Sequence, residues 1–168
     1  GTTESKVLTL DADGGMRPTG QIQMTIHGYT DDQGTTKQYI GLLDADSEAT
    51  ATTNGDLPFV APVAGKLLRA FLRCNKNLTG HTLTWRLETQ ATGVSFGTGP
   101  TIVGTQSGAG PSTTSMTTYD FTSSLDSGDN IIDVGDMVYL SLQSDTDFGA
   151  NVKYYITCMW EWDFSSIG

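Results

Sequence analysis

Apolar and polar residues alternate strictly along the stretch NVKYYITCMWEWDF near the end of the chain. One face would carry Val152, Tyr154, Ile156, Cys158, Trp160, Trp162 and Phe164. A helix would scatter these side chains around its axis, whereas a period of two places them on one side of a long β-strand. The stretch HTLTWRLETQ repeats the pattern. It places Leu83, Trp85 and Leu87 inward and Thr84, Arg86 and Glu88 outward.

Three further stretches alternate in the same way. In KLLRAFLRC, one predicted face carries Leu68, Ala70, Leu72 and Cys74, and the other carries Leu67, Arg69, Phe71 and Arg73. DMVYLSLQS and TTYDFT are typical of two more strands. Links rich in Gly, Ser and Pro join these stretches, and none holds a helical stripe of three turns. The pattern therefore predicts an all-β antiparallel sandwich in which no helix exceeds about two turns.

The first 56 residues follow a looser pattern. KVLTLDA, QIQMTIHGY and KQYIGLL each favour a strand, but acidic, polar links such as TDDQGTT and DADSEATATTNGD separate them. This predicts an N-terminal arm or outer hairpin over 1–56, attached to a compact sandwich over 57–168. An arm of this kind is expected to dock on a neighbouring molecule.

Composition restricts the class of function. The 168 residues fit one domain, and the formal net charge of −10 disfavours a nucleic-acid partner, since an acidic surface repels phosphates. No stretch approaches the roughly 20 apolar residues of a membrane span, so no membrane partner is expected. The first residues lack the basic and apolar regions of a secretory signal, so none is expected.

Catalytic chemistry has few candidates. The two histidines, His27 and His81, lack a second His or Cys at ligand spacing, and both are expected to be ordinary polar residues. The chain contains no G-x-S-x-G, P-loop or H-E-x-x-H motif. We therefore expect no enzyme activity and no cofactor.

Two acidic clusters leave a choice open. One pairs Asp11 with Asp13, and the other groups Asp44, Asp46 and Glu48. Carboxylates two residues apart can converge on calcium in a loop. Neither cluster fits an EF-hand, because Ile22 stands where the first would need a bidentate Glu. The alternative is a pair of solvated loops that keep the protein soluble.

The cysteines and tryptophans also allow two interpretations. Cys74 and Cys158 fall on apolar faces, which favours two buried thiols, although the sequence does not exclude a disulfide. The tryptophans, Trp85, Trp160 and Trp162, share their phase with Leu and Ile. This favours core packing over a sugar-stacking platform, and it predicts burial of Trp85, Trp160 and Cys158.

Four stretches together carry a resemblance: LPFVAPVAGKLLRAFLRC, GHTLTWRLE, DVGDMVYLSLQS and YYITCMWEWDF. They resemble a jelly-roll domain of structural proteins from tailed bacteriophages. There, a P-F-x-x-P-x-x-G-K stretch enters the first core strand, and a G-D-x-V-x-L-S strand precedes a last strand rich in Trp and acidic residues. The resemblance covers roughly residues 57–168. More loosely, it is similar to trimeric jelly rolls of the tumour necrosis factor and C1q type.

The resemblance implies a non-enzymatic virion structural protein. A capsid decoration (cement) protein on the phage head is the first expectation, present as a homotrimer at the virion surface after assembly in the host cytoplasm. Its arm would contact the major capsid protein or another virion protein. The alternative is a receptor- or carbohydrate-binding head domain of a tail fibre or spike, with Phe96, Asp147 and Phe148 in its loops.

Surface residues for self-association can be chosen from the strand phases. On the last strand, Tyr155 and Met159 alternate with charged or polar residues, and Phe71 lies between Arg69 and Arg73. Such a face is too apolar for full solvation and too charged for a core, which is typical of a subunit interface. Phe71, Tyr155 and Met159 are therefore the predicted interface residues.

Overall fold

The computed structural model describes residues 8–10, 16–18, 21–31, 34–42, 58–95, 98–122, 131–149 and 152–164. In these ranges the chain forms β-strands, and no helix is long and apolar enough to cross a membrane. The strands are β1 (Leu8–Leu10), β2 (Met16–Pro18), β3 (Gln21–Asp31), β4 (Gln38–Ile40), β5 (Phe59–Val60), β6 (Gly65–Cys74), β7 (Thr82–Gln90), β8 (Thr101–Ala109), β9 (Thr117–Asp120), β10 (Ile131–Ile132), β11 (Met137–Ser144) and β12 (Val152–Trp162).

Two antiparallel five-stranded sheets form the sandwich. In the first sheet, β12 lies between β3 and β6, and the short strands β9 and β10 both pair with the other edge of β6. In the second, β7 lies between β8 and β11, and β4 and β5 both pair with the other edge of β11. This order is a jelly roll, which confirms the predicted fold class.

The core lies between the inner faces of the two sheets. In β12 the inward residues from Val152 to Trp162 are all buried, and β7 contributes Leu83, Trp85 and Leu87. Trp85, Trp160 and Cys158 have no exposed surface, so the prediction of their burial is confirmed. Burying each large apolar side chain contributes about 1.5–3 kcal/mol, and this burial holds the two sheets together.

A β-bulge changes the predicted phase at the start of β6. The pairing with β12 shifts between Met159 and Trp160, so that Arg69 lies opposite Met159 and Leu67 lies opposite Trp160. The residue between them, Leu68, is the extra residue of the bulge. The prediction that Leu67 shares the outward face with Arg69 is therefore wrong, because the bulge turns Leu67 into the core, where it is completely buried.

Residues 21–42 contribute strands to both sheets. All eleven residues of β3 pair with β12, and β4 pairs with Leu140–Leu142 of β11. Ile40 and Leu42 are buried in the same core as the later strands. The sandwich therefore begins before residue 57, and the strands β3 and β4 within 21–42 are edge strands of its two sheets. Only β1 and β2 form a sheet of their own, with three residues in each strand.

Candidate interaction surface

The face of the first sheet that points away from the second sheet is called the outer face below. The alternation of β12 places Tyr155, Thr157 and Met159 on this face, since their neighbours are in the core. The pairing register shows which residues of the neighbouring strands β3 and β6 lie beside them. Thr157 lies between Ile26 of β3 and Phe71 of β6.

Large apolar side chains are exposed on this face. The exposed fraction is 53% for Ile22, 66% for Met24, 84% for Ile26 and 60% for Tyr155. Met116, which immediately precedes β9, is 54% exposed. Single exposed apolar residues are ordinary, but a group of them on one sheet face marks a site of interaction. The outer face is therefore the candidate functional site.

A groove runs through the middle of the outer face. The short side chain of Thr157 lies between the larger Ile26 and Phe71, and Gly28, opposite Tyr155, carries no side chain. The resulting groove has a volume of about 250 Å³, and Met116 and Arg73 also line it. Its walls are apolar and its rim carries a cation, so it suits a partner surface that combines apolar and acidic groups.

Charges on the outer face differ from those of the chain as a whole. Four of the nine Lys and Arg residues lie on this face: Lys66, Arg69, Arg73 and Lys153. Two carboxylates on this face make ion pairs, Glu161 with Lys66 at 3.2 Å and Asp120 with Arg69 at 3.4 Å. Hydrogen bonds from the Thr122 side chain and backbone, together with Arg69, lower the pKa of Asp120. The strand residues of the outer face thus include four cations and two carboxylates, on a protein of net charge −10.

The structure brings two of the three predicted interface residues together. Phe71 and Tyr155 line the same groove, and Met159 lies on the same face between Met24 and Arg69. Whether they form an interface stays a prediction. Sequence reasoning missed the exposed residues of β3, although the alternation of Ile22, Met24 and Ile26 in QIQMTI was a signal for them.

A second cavity opens between the sheets beside β3. This edge pocket has a volume of about 260 Å³ and is lined by Gln23, Thr25, Leu42, Phe59, Pro62, Trp160, Trp162 and Phe164. The rings of Trp160 and Trp162 stack with centroids 5.8 Å apart, and Phe59 meets both edge-on. The Nε1 of Trp160 donates to Thr25 Oγ1 at 2.9 Å, and the Nε1 of Trp162 donates to Gln23 Oε1 at 2.8 Å. Both indole donors are satisfied, so the pocket offers mainly apolar surface.

Among the other predicted site residues that the structure describes, the two histidines lie apart from each other. Among the described residues, no three His, Cys, Asp or Glu side chains are grouped to hold a metal ion. The clusters Asp11/Asp13 and Asp44/Asp46/Glu48 lie outside the described residues. His27 Nε2 lies 2.9 Å from Thr25 Oγ1, and His81 Nδ1 lies 3.4 Å from a carboxylate oxygen of Asp145.

The cysteines and tryptophans are core residues. Cys74 and Cys158 are buried free thiols, which confirms the favoured interpretation. Because Trp85 and Trp160 have no exposed surface and Trp162 has almost none, the tryptophans do not form a surface platform for sugars.

The loop residues predicted for receptor binding differ in their exposure and contacts. Phe148 is partly buried against the core, where its ring packs on His81 with centroids 5.0 Å apart. Asp147 is exposed and accepts a hydrogen bond from the backbone N–H of Gly149. Phe96 lies outside the described residues.

Comparison with known proteins finds remote likenesses of fold. No known protein family and no curated protein matches the sequence. A chain of infectious bursal disease virus, Gx strain, is similar over 90% of this chain with 9% identity and a TM-score of 0.45. The match covers 34% of the viral chain, so this chain spans about a third of that length.

Two other solved structures show weaker similarity. The Eiger tumour necrosis factor of S. frugiperda matches 84% of this chain and 93% of its own, with 9% identity and a TM-score of 0.36. The empty head of turnip yellow mosaic virus matches 97% of this chain and 89% of its own, with 8% identity and a TM-score of 0.31. All three TM-scores are below 0.5, so these likenesses carry no information about function.

Proposed function

We propose that the protein is a non-enzymatic structural protein that assembles with copies of itself through the outer face. The observation that carries this proposal is the group of exposed apolar side chains on one sheet face, with Tyr155, Ile26 and Met24 among them. Water contact with this apolar surface is unfavourable, so its burial against a neighbour supplies the free energy of association.

The charges of the chain support a second copy as the neighbour. The strand residues of the outer face include more cations than carboxylates, whereas the chain carries 19 Asp and Glu residues against nine Lys and Arg. A contact between the outer face of one copy and an acidic surface of the next is electrostatically complementary. Such a contact joins two different surfaces, and it closes a ring when the rotation between copies allows it. A homotrimer with Phe71, Tyr155 and Met159 in its interface is the assembly we propose.

The place of this assembly is proposed from the sequence resemblance to jelly-roll structural proteins of tailed bacteriophages. We propose a capsid decoration protein at the virion surface, assembled in the host cytoplasm, with neither nucleic acid nor membrane as a partner. The N-terminal arm, here restricted to the residues before β3, contacts the major capsid protein or joins neighbouring copies. An acidic exterior fits a protein that stays soluble until it meets a preformed lattice.

Light scattering on the purified chain tests the self-association. A homotrimer has three times the 17.9 kDa mass of one chain. Tyr155→Lys and Met116→Lys each place a charge in the outer face at an exposed position, and both are expected to lower the mass toward that of one chain. Ile102→Lys is the matched control, because Ile102 is 50% exposed on β8 of the other sheet.

Two results would overturn parts of the proposal. A single-chain mass in solution, together with virion images in which no three copies meet around an axis, would overturn the trimer. A mass that falls equally with Ile102→Lys would overturn the assignment of the interface to the outer face. The alternative function, a receptor- or carbohydrate-binding head domain, predicts binding of the isolated chain on a glycan array or to host cells.

A further inference from the structure

One edge of β3 has no partner strand among the residues that the structure describes. Along its other edge, β3 pairs with β12 over its whole length. Its sequence, QIQMTIHGYTD, contains no Pro, Lys or Arg, and its pairing with β12 shows no register shift. Proteins commonly protect edge strands with such residues or with bulges, and an edge without them is a template for another strand.

Beside this edge the outer face of β3 is exposed, and the inner face is accessible at the first part of the strand, before the buried His27. On the outer side, Ile22, Met24 and Ile26 are exposed. On the inner side, Gln23 is exposed and Thr25 is partly exposed, and both line the edge pocket. A strand added to β3 would point alternate side chains to opposite faces. One set would cover the exposed side chains of the outer face, and the other would enter the pocket beside Phe59, Trp160 and Trp162.

We propose that the hairpin of β1 and β2 from a second copy adds to this edge. The inference rests on the self-assembly proposed above, and it selects the neighbouring copy rather than the capsid as the partner of the arm. The β1–β2 sheet has two strands of three residues each, and such a sheet is not stable alone in water. In the described part of the chain, β3 thus has an edge without a partner strand, and the two-stranded β1–β2 sheet needs a further strand to be stable.

The hairpin of the same copy cannot pair with the middle of β3, because the link between β2 and β3 is too short. Only residues 19 and 20 separate the two strands, so β2 can turn back only along the first few residues, Gln21–Gln23. Thr25 and Ile26 would stay uncovered. A hairpin that arrives from another copy is free of this restriction and can pair with the middle of the edge.

The chemistry of β1 suits this position. Its sequence is Leu8-Thr9-Leu10, so Leu residues alternate with a small polar residue as an added strand requires. Because the edge and the hairpin are different surfaces, each copy both gives and receives a strand. This head-to-tail arrangement is the kind of contact that closes a ring, as a homotrimer needs.

Cross-linking between two differently tagged chains tests the inference. With Leu10 placed opposite Met24, co-expressed Leu10→Cys and Met24→Cys chains should form a mixed disulfide dimer under oxidising conditions, since directly opposite residues on paired strands have Cα atoms about 4.5–5.5 Å apart, within reach of a disulfide. The matched control combines Leu10→Cys with Ile102→Cys, because Ile102 is 50% exposed on β8, an edge strand of the second sheet. It should yield no mixed dimer. Equal cross-linking in both pairs would overturn the inference.

Removal of residues 1–18 separates the inference from the proposed function. If the hairpin joins the copies, the shortened chain should fall to the mass of a single chain while its circular dichroism stays that of a β-sandwich. A shortened chain that remains a trimer would overturn the strand addition but leave assembly through the outer face intact. A full-length chain that is monomeric in solution and on the particle would overturn both.

Discussion

The Nζ of Lys37 lies 2.9 Å from Oε2 of Glu88, so a partly exposed lysine pairs with a carboxylate that is 99% buried. The hydroxyl of Tyr39 donates to the same oxygen at 3.0 Å, and the Ser141 hydroxyl donates to Oε1 at 2.6 Å. Burial alone would lower the pKa of Lys37, but the Tyr39 hydroxyl and the Glu88 carboxylate outweigh it and raise that pKa. The network ties β4, β7 and β11 together on the side of the second sheet that faces away from the core.

Lys37→Met is expected to lower the free energy of unfolding by about 2–3 kcal/mol, because it leaves a buried carboxylate without its cation. The loss is smaller than for a fully buried pair, since Lys37 is partly exposed and solvent at its ammonium group screens the interaction. Urea denaturation at pH 7 measures it. The double variant Lys37→Met/Glu88→Gln should recover part of the loss. A double variant less stable than Lys37→Met would contradict this account.

Glu88 also shows what sequence can and cannot predict here. The alternation of the sequence correctly predicts that Glu88 lies on the side of β7 away from the core. It does not predict which other residues cover Glu88 on that side. Its burial depends on Lys37 and Ser141, which lie 51 and 53 residues away in the chain. Local patterns predict strand phase, whereas contacts between distant strands decide burial.

The same limit applies to the strands of the N-terminal region and to Leu67. The strand pattern of QIQMTIHGY was visible, but its pairing with β12 joins Met24 to Met159, far along the chain. The bulge at Leu68 is likewise a feature of paired strands, since a single strand has no register to shift. For the candidate site, the alternation along β12 and β6 was enough to predict that Tyr155, Met159 and Phe71 lie on the outer face. The contribution of β3 required the sheet order.

Trp160→Ala is expected to cost about 3–5 kcal/mol, because it removes a completely buried indole next to Phe59 and Trp162. Trp160→Phe retains much of the ring and loses the hydrogen bond to Thr25, so it should cost clearly less. Thermal or urea unfolding of the two variants gives the comparison. A loss below about 1 kcal/mol for Trp160→Ala would contradict its place in the core.

Gly65→Ala is expected to destabilise the fold by about 1–3 kcal/mol through overpacking. A Cβ at this position would overlap the ring of Trp162 and lie 2.9 Å from the Glu161 carbonyl oxygen. Gly80→Ala is the matched control, since a Cβ there meets nothing within 4 Å. Its effect should stay within about 0.5 kcal/mol. Equal unfolding midpoints for the two variants would show that the contact between β6 and Trp162 is looser than described.

Cys74 and Cys158 are expected to resist thiol reagents in the folded protein. Burial raises the pKa of Cys158 to about 12, and burial also raises the pKa of Cys74, whose Sγ lies 2.9 Å from the Lys76 carbonyl oxygen. The reactive thiolate is therefore scarce at pH 8. Ellman's reagent should detect two thiols after denaturation and almost none before it. Two rapidly reacting thiols in the native protein would contradict their burial.

His27 is expected to make stability depend on pH near neutrality. Burial lowers the pKa of the imidazole below its usual 6.5, and a hydrogen bond with the Gly41 backbone offsets only part of that effect. Between the folded and unfolded pKa values, the unfolded chain binds more protons, so acid favours unfolding. The contribution of His27 is fully present above pH 6.5 and is lost as the pH falls through the lower, folded-state value.

His27→Gln should remove this part of the pH dependence. Urea unfolding at pH 8, 7, 6 and 5.5 would show a decline for the native sequence and a flatter profile for the variant, with the curves separating below the unfolded pKa of about 6.5. At still lower pH, carboxylates titrate in both proteins, and the comparison loses its meaning. An equally steep decline in the variant would assign the pH dependence to other groups, and a native protein that gains stability from pH 7 to 6 would contradict the burial of His27.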